Sequence, residues 1–284
     1  MEKIKAIYNS SFFDKLIRLN FDIFVIYLII NIYVLERVQA SLNQYGSQIN
    51  ISHSYKFIIA NFFIISSIYL LNKVSDFRED TENNTAVENK YSETIVKYYV
   101  FVNMLSFIIY FYINKDFLKY WLIFFVLGLL YSYPKKFKLK KYLLLKNLLP
   151  SFCWYLSICI LILLNTKIFN TNIIDIFFDN IPILVTFLLF EILWDIPDRI
   201  GDKRENIMTI PTLLGFQKTK YLLIVSNIVL LIISKTNESK AIFLTILIFL
   251  FFTKENSTKK YYHLIIFFVS FIYVIYGILL LLNT

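Results

Sequence analysis

Apolar residues run through this chain in long blocks rich in Leu, Ile and Phe, parted by short polar segments and without the strict alternation of a half-buried strand. That pattern argues for membrane-spanning helices and against a β-barrel. Nine spans are predicted, roughly at 20–38, 55–72, 93–113, 117–132, 142–165, 176–195, 218–234, 240–253 and 262–283. The eighth is the weakest, because an apolar core of about a dozen residues is short for a bilayer. Its neighbours nevertheless require it if charge is to alternate across the membrane.

Composition supports the same class. The 284 residues are 58% hydrophobic and 19% aromatic, with a mean hydropathy of +0.61. A soluble domain of this length would have too little polar surface, so the chain reads as an integral membrane protein. The N-terminal stretch lacks a short apolar core followed by a small-residue cleavage site, and no removable signal peptide is expected. No Pro/Gly/Ser-rich linker divides the chain, so residues 1–284 read as one membrane domain. Cys153 and Cys159 sit inside one apolar run and read as packing residues, while His53 and His263 are isolated, which argues against a histidine metal site.

The net charge of +9 matters through its distribution. Of the 29 Lys and Arg, 22 fall at the N-terminus and the even-numbered loops, and 7 fall on the other side. The first side is therefore read as cytoplasmic, with the N-terminus inside and the C-terminus outside. The expected location is the bacterial inner (cytoplasmic) membrane. The excess charge is accounted for by topology, and no nucleic-acid partner is expected.

Acidic residues are just as unevenly spread. Eleven of the twenty carboxylates lie in two segments on that same side, one after the second span and one at the end of the sixth. Four spans separate these segments, which hints at a duplicated four-helix unit. In "LNKVSDFRED", Asn72, Asp76 and Asp80 recur every four residues and stay within about 80° on a helix. In "EILWDIPDRIGDK", Asp195, Asp198 and Asp202 share a face, with Glu191 one turn earlier. Two acid-lined faces at one membrane surface suit a hard divalent cation. Mg²⁺ prefers oxygen ligands and is commonly held by a few carboxylates plus substrate phosphates. A metal-bound diphosphate would offset the repulsion among these acids. In "YSYPKKFKLKK", Tyr131 and Lys135 are one turn apart and Lys136 and Lys138 follow, offering ammonium donors to phosphate oxygens.

At this point the chain resembles a known family. Asn72-x-x-x-Asp76-x-x-x-Asp80 is similar to the first aspartate-rich motif of the UbiA superfamily of intramembrane prenyltransferases. Asp195-x-x-Asp198-x-x-x-Asp202, with Lys203 and "TIPTLLG" behind it, resembles the second. Tyr131-x-x-x-Lys135 resembles the family's tyrosine–lysine motif between spans 4 and 5. Two departures stand out: Lys73 follows the motif Asn where the family often has Asp, and "TENNTAVENKYSE" replaces a basic, proline-containing segment.

The resemblance implies an all-α helical bundle around a central cavity, capped on the cytoplasmic side and open laterally to lipid. It implies Mg²⁺ as the cofactor, with Asn72, Asp76, Asp198 and Asp202 as ligands and Asp80 as support beside the first metal motif. Tyr131, Lys135 and Asp195 are the implied catalytic groups, and Arg78, Lys138 and Lys203 the further candidates to contact the diphosphate. The implied partners are an isoprenyl diphosphate, a lipophilic and possibly aromatic acceptor, and membrane lipid. The expected reaction transfers the prenyl group to that acceptor. Cyclisation of the prenyl chain on the same fold remains an alternative, and a small-solute transporter is a weaker one. Against transport, the charges cluster at one surface, and Gly and Pro, five each, are scarce for broken helices. The Asp-Gly and Ala-Arg pattern of phosphatidyl-transferring enzymes is missing.

Overall fold

In hydrocarbon a backbone must satisfy its own hydrogen bonds, and the apolar blocks do so as helices. A computed structural model describes residues 27–36, 51–76, 92–113, 115–132, 139–166, 181–234 and 236–283. Within them lie nine α-helices and no strand. They are α1 (Tyr27–Glu36), α2 (Ile51–Ser75), α3 (Ser92–Ile113), α4 (Leu118–Ser132), α5 (Leu145–Thr166), α6 (Ile181–Arg204), α7 (Ile210–Ile233), α8 (Asn237–Phe252) and α9 (Lys259–Asn283). Each falls on one of the nine predicted spans. Five of them, α2, α3, α5, α7 and α9, are long and apolar enough to cross a membrane. The helices α4 and α8 have 15 and 16 residues. At ~1.5 Å per residue they fall short of a hydrocarbon core of ~30 Å.

Burial sorts the helices into centre and rim. The apolar run of α5 is 67% buried, whereas those of α3 and α7 are 22% buried and turn most of their side chains outward. α2 packs against α3, α4 and α5; α6 packs against α5, α7 and α9; and α8 joins α7 to α9. The short α1 ties the two halves together. Its Tyr27 ring lies 4.9 Å from Trp154 on α5, and its Tyr33 ring lies 5.1 Å from Tyr273 on α9. A buried polar network crosses the same region. Ser157 Oγ is 2.8 Å from the Tyr27 hydroxyl and accepts from Asn61 Nδ2 at 3.0 Å, while Tyr110 donates to Asn61 Oδ1. Every member is satisfied, so the network fixes the pairing of α1, α2, α3 and α5 without leaving a polar atom in apolar surroundings.

Two helix boundaries differ from the sequence reading. α6 continues past 195 to Arg204, so the whole second acidic motif is helical. Asn206, with φ 56°, then ends it: Ile207 N–H bonds Asp202 C=O at 2.8 Å and Asn206 N–H bonds Lys203 C=O at 3.3 Å. These are the two bonds of a Schellman cap, and Asn tolerates the left-handed conformation it requires. α7 starts eight residues before the predicted 218, at Ile210, behind a Thr209–Thr212 capping box, and Gly215 (φ 74°) kinks it after one turn. The stretch "TIPTLLG" thus encodes cap, first turn and kink in order.

Gly128 on α4 faces α2 so closely that a Cβ there would lie 2.5 Å from Ile68 Cγ1. Gly128→Ala is therefore expected to lower the thermal midpoint of the detergent-solubilised protein, an overpacking effect of about 1–3 kcal/mol. Gly277→Ala, whose Cβ would meet nothing nearer than Tyr33 Cδ2 at 3.8 Å, is expected to leave the midpoint unchanged. Equal midpoints for the two variants would contradict this packing.

Candidate active site

The polar ends of α2, α4 and α6 and the starts of α5 and α9 meet at one end of the bundle. They enclose a cavity of about 120 Å³, lined by Tyr69, Asn72, Lys73 and Asp76 of α2 and its end, Tyr131 of α4, and Lys140 and Lys146. Its opposite wall is Glu191, Trp194, Asp195 and Asp198 of α6 with Lys259 and His263 of α9. A second cavity of about 80 Å³ adjoins it and shares Tyr69, Asn72, Tyr131 and Glu191. The rest of its wall is mainly apolar: Ile65, Ile68, Gly128, Leu149, Pro150, Cys153 and Trp154. A charged chamber thus adjoins a greasy one.

Among the described residues, each motif acid except Glu191 is matched by a lysine from another element. Lys140, on the 3₁₀ turn Leu139–Lys141, is almost fully buried and reaches Asp76 Oδ2 at 2.6 Å. Lys146, in the first turn of α5, bridges Asp195 at 2.9 Å and Asp202 at 2.6 Å. Lys259, at the start of α9, meets Asp198 at 2.8 Å. Asn147 donates from Nδ2 to the other oxygen of Asp195 at 2.6 Å. Spacing on α6 explains the arrangement: Asp195 and Asp202, seven residues apart, return to one face and present both carboxylates to the same ammonium group.

Local backbone chemistry positions the remaining groups. Pro150 lies inside α5 and has no N–H, so the carbonyl of Lys146 four residues earlier loses its helical donor. The Tyr131 hydroxyl supplies one instead, at 3.2 Å. Ser132 beside it donates to Asn72 Oδ1. Asp76, just past the end of α2, is steadied by its N–H to Asn72 C=O at 2.8 Å and by Ser75 Oγ at 2.7 Å.

The structure brings Asn72, Asp76, Tyr131, Asp195 and Asp198 to one chamber, as the motifs imply. Two expected residues are placed otherwise. Lys203 is exposed and off the cavity wall, because one residue beyond Asp202 rotates a side chain about 100° away from the acidic face. Asp202 is fully buried and off the wall, with its carboxylate engaged by Lys146. Arg78, Asp80, Lys135 and Lys138 lie outside the described residues. Lys140, Lys146 and Lys259, counted in the sequence only as topogenic charges, turn out to be wall residues. Asn147 and Ser132 were not singled out at all. The one local signal was a lysine four residues before a proline, and it is a weak one.

Oxygen donors dominate the motif positions, which suits a hard cation. Among the described residues no three Asp, Glu, His or Cys side chains are close enough to hold one ion by themselves. That agrees with the way Mg²⁺ is usually bound, by one or two carboxylates with substrate phosphates completing the shell. The donor set fits.

If Lys146 holds Asp195 and Asp202 in place, Lys146→Met removes an ammonium shared by two buried carboxylates, a loss of about 3–5 kcal/mol. A marked fall in the melting temperature is expected, with partial recovery on adding Asp202→Asn. An unchanged melting temperature in Lys146→Met would refute the pairing.

A profile of the UbiA prenyltransferase family matches residues 42–282. No curated protein sequence gives a match. Among solved structures, a UbiA homolog from Archaeoglobus fulgidus bound to GPP and Mg²⁺ superposes with a TM-score of 0.61 at 14% identity, covering 94% of this chain and 99% of its own. The same homolog bound to DMAPP and Mg²⁺ gives 0.59 at 14% identity, covering 93% and 98%. A digeranylgeranylglyceryl phosphate synthase studied in membranes gives 0.52 at 17% identity, covering 99% and 98%. At such identities the likeness is one of fold. Because the family profile spans most of the sequence, the chain belongs to the UbiA prenyltransferase family.

Proposed function

We propose that this integral membrane protein transfers a prenyl group from an isoprenyl diphosphate to an aromatic or other lipophilic acceptor in a Mg²⁺-dependent reaction. The observation that carries the reading is the adjoining pair of cavities, one lined by lysines and carboxylates and the other by mainly apolar side chains. An isoprenyl diphosphate has the same two halves. The A. fulgidus homologs bound to DMAPP or GPP with Mg²⁺ support it by analogy of fold.

In this reading Asn72, Asp76 and Asp198 would hold Mg²⁺, which when bound would neutralise charge developing on the leaving diphosphate. Lys140 and Lys146 give their ammonium groups to phosphate oxygens, with Asp195 and Asp202 keeping Lys146 in position. Lys135, Lys138 and Arg78 are proposed to complete the diphosphate site, and Asp80, on the segment after α2, to support the metal. Tyr131 orients Lys146 through its backbone carbonyl. The faces of Tyr69 and Trp154, which line the apolar cavity, are suited to an allylic cation. The chain acts as a single membrane domain with this chamber and the N-terminus on the cytoplasmic side.

Purified protein supplied with labelled isoprenyl diphosphates and a panel of aromatic acceptors is expected to release diphosphate only when an acceptor is present. The product mass should equal prenyl plus acceptor less a proton. Diphosphate release that ignores every acceptor, with a prenyl-only product accumulating, would replace transfer by cyclisation. Asp76→Ala and Asp198→Ala should each abolish turnover, and EDTA should do so reversibly. Lys135→Ala should slow turnover by about 10²-fold or more, since it removes a charged donor from a low-dielectric site. Tyr131→Phe, deleting one neutral hydrogen bond, should cost only ~1 kcal/mol. Full activity in either aspartate variant would sink the metal assignment.

A further inference from the structure

Glu191 stands at the junction of the two cavities and lines both. It is half-buried on α6, seven residues before Asp198 and so roughly 10 Å further from the polar end of the helix. The other four carboxylates of the site are each neutralised by a lysine at 2.6–2.9 Å. Glu191 makes no hydrogen bond or ion pair with any described residue. Holding a carboxylate at an apolar boundary without a partner is costly, and such arrangements concentrate where a group must react. Purely electrostatic support of Lys146 would be the structural alternative. Asp195 and Asp202 already fill that role in direct contact.

We propose that Glu191 is the base that takes the proton lost by the acceptor during prenyl transfer. The inference rests on the transferase reading above. With the diphosphate among the lysines and the prenyl chain in the apolar cavity, the bond between them lies at the level of Glu191. The C1–O bond breaks and its electron pair leaves with the diphosphate. The acceptor's nucleophilic atom gives an electron pair to C1, forming the new bond. The hydrogen on that same atom passes as a proton to a Glu191 carboxylate oxygen, its bonding pair staying with the acceptor. The protonated side chain then returns the proton to water through the polar chamber. Lysine-paired carboxylates are poorer bases for this step, because a neighbouring ammonium stabilises their charged form. The acceptor class follows: its attacking atom bears a hydrogen, as in the ring carbon or hydroxyl of a phenol.

Full-length protein carrying Glu191→Gln or Glu191→Asp tests this. Two quantities are read: binding of labelled geranyl diphosphate with Mg²⁺, and acceptor-dependent transfer at saturation. Glu191→Gln should bind the diphosphate as wild type does while kcat falls by ~10²-fold or more, the usual worth of a general base. Glu191→Asp, which keeps the carboxylate, should retain more turnover than Glu191→Gln. Transfer by Glu191→Gln close to the wild-type rate would overturn the base assignment and leave the transferase reading intact. Loss of diphosphate binding in both variants would overturn it too, making Glu191 part of the binding site or the packing. A wild type that forms no acceptor-linked product removes the transferase reading and this inference with it.

Discussion

Charge compensation across helices is the constraint on which the polar end of this bundle depends. Five carboxylates converge there at the edge of an apolar core, and separately each would cost several kcal/mol to bury. For four of them, all but Glu191, the chain meets that cost with lysines drawn from different elements, each set against an acid on another. The pairs tie the end of α2 to the 3₁₀ turn, α5 to α6 and α6 to α9. The walls of the chamber are therefore held together by attraction between oppositely charged side chains on different elements.

That arrangement has two faces, structural and chemical. A metal approaching Asp76 or Asp198 competes with Lys140 or Lys259 for the same oxygens. An anionic substrate approaching those lysines competes with the carboxylates. A metal-bound diphosphate brings both signs together and can satisfy both partners of a pair at once, so it suits the chamber better than either component alone. The adjoining apolar cavity supplies the other half of the match. Its wall is continuous with the chamber through Tyr69, Asn72, Tyr131 and Glu191.

Much of this was legible in the sequence because helical periodicity and membrane charge bias are local signals. The apolar blocks marked the nine helices, and the four-residue spacing from Asn72 to Asp76 and the seven-residue spacing from Asp195 to Asp202 marked faces. Partners across helices left no such trace. Lys140, Lys146 and Lys259 look like any other positive-inside lysine until α2, α5, α6 and α9 are packed together. Lys203 was drawn toward the site by adjacency to Asp202, yet one residue along a helix is a different direction. The span of α6 was ended at 195 because apolar residues give out there, although the acid spacing already implied a helical face beyond it; counter-ions from α5 and α9 let the helix continue with its acids inward.

Pro150 also bears on the order in which the protein is made. Its missing N–H leaves the Lys146 carbonyl dependent on a hydroxyl from another helix, and Tyr131 lies fifteen residues earlier in the chain. That partner has already been synthesised when α5 enters the bilayer, so the weakened first turn of α5 can be completed as soon as the hairpin with α4 forms. The counter-ions of Lys146 are made later, on α6. The first turn of α5 is therefore completed by one upstream helix for its backbone and one downstream helix for its charge.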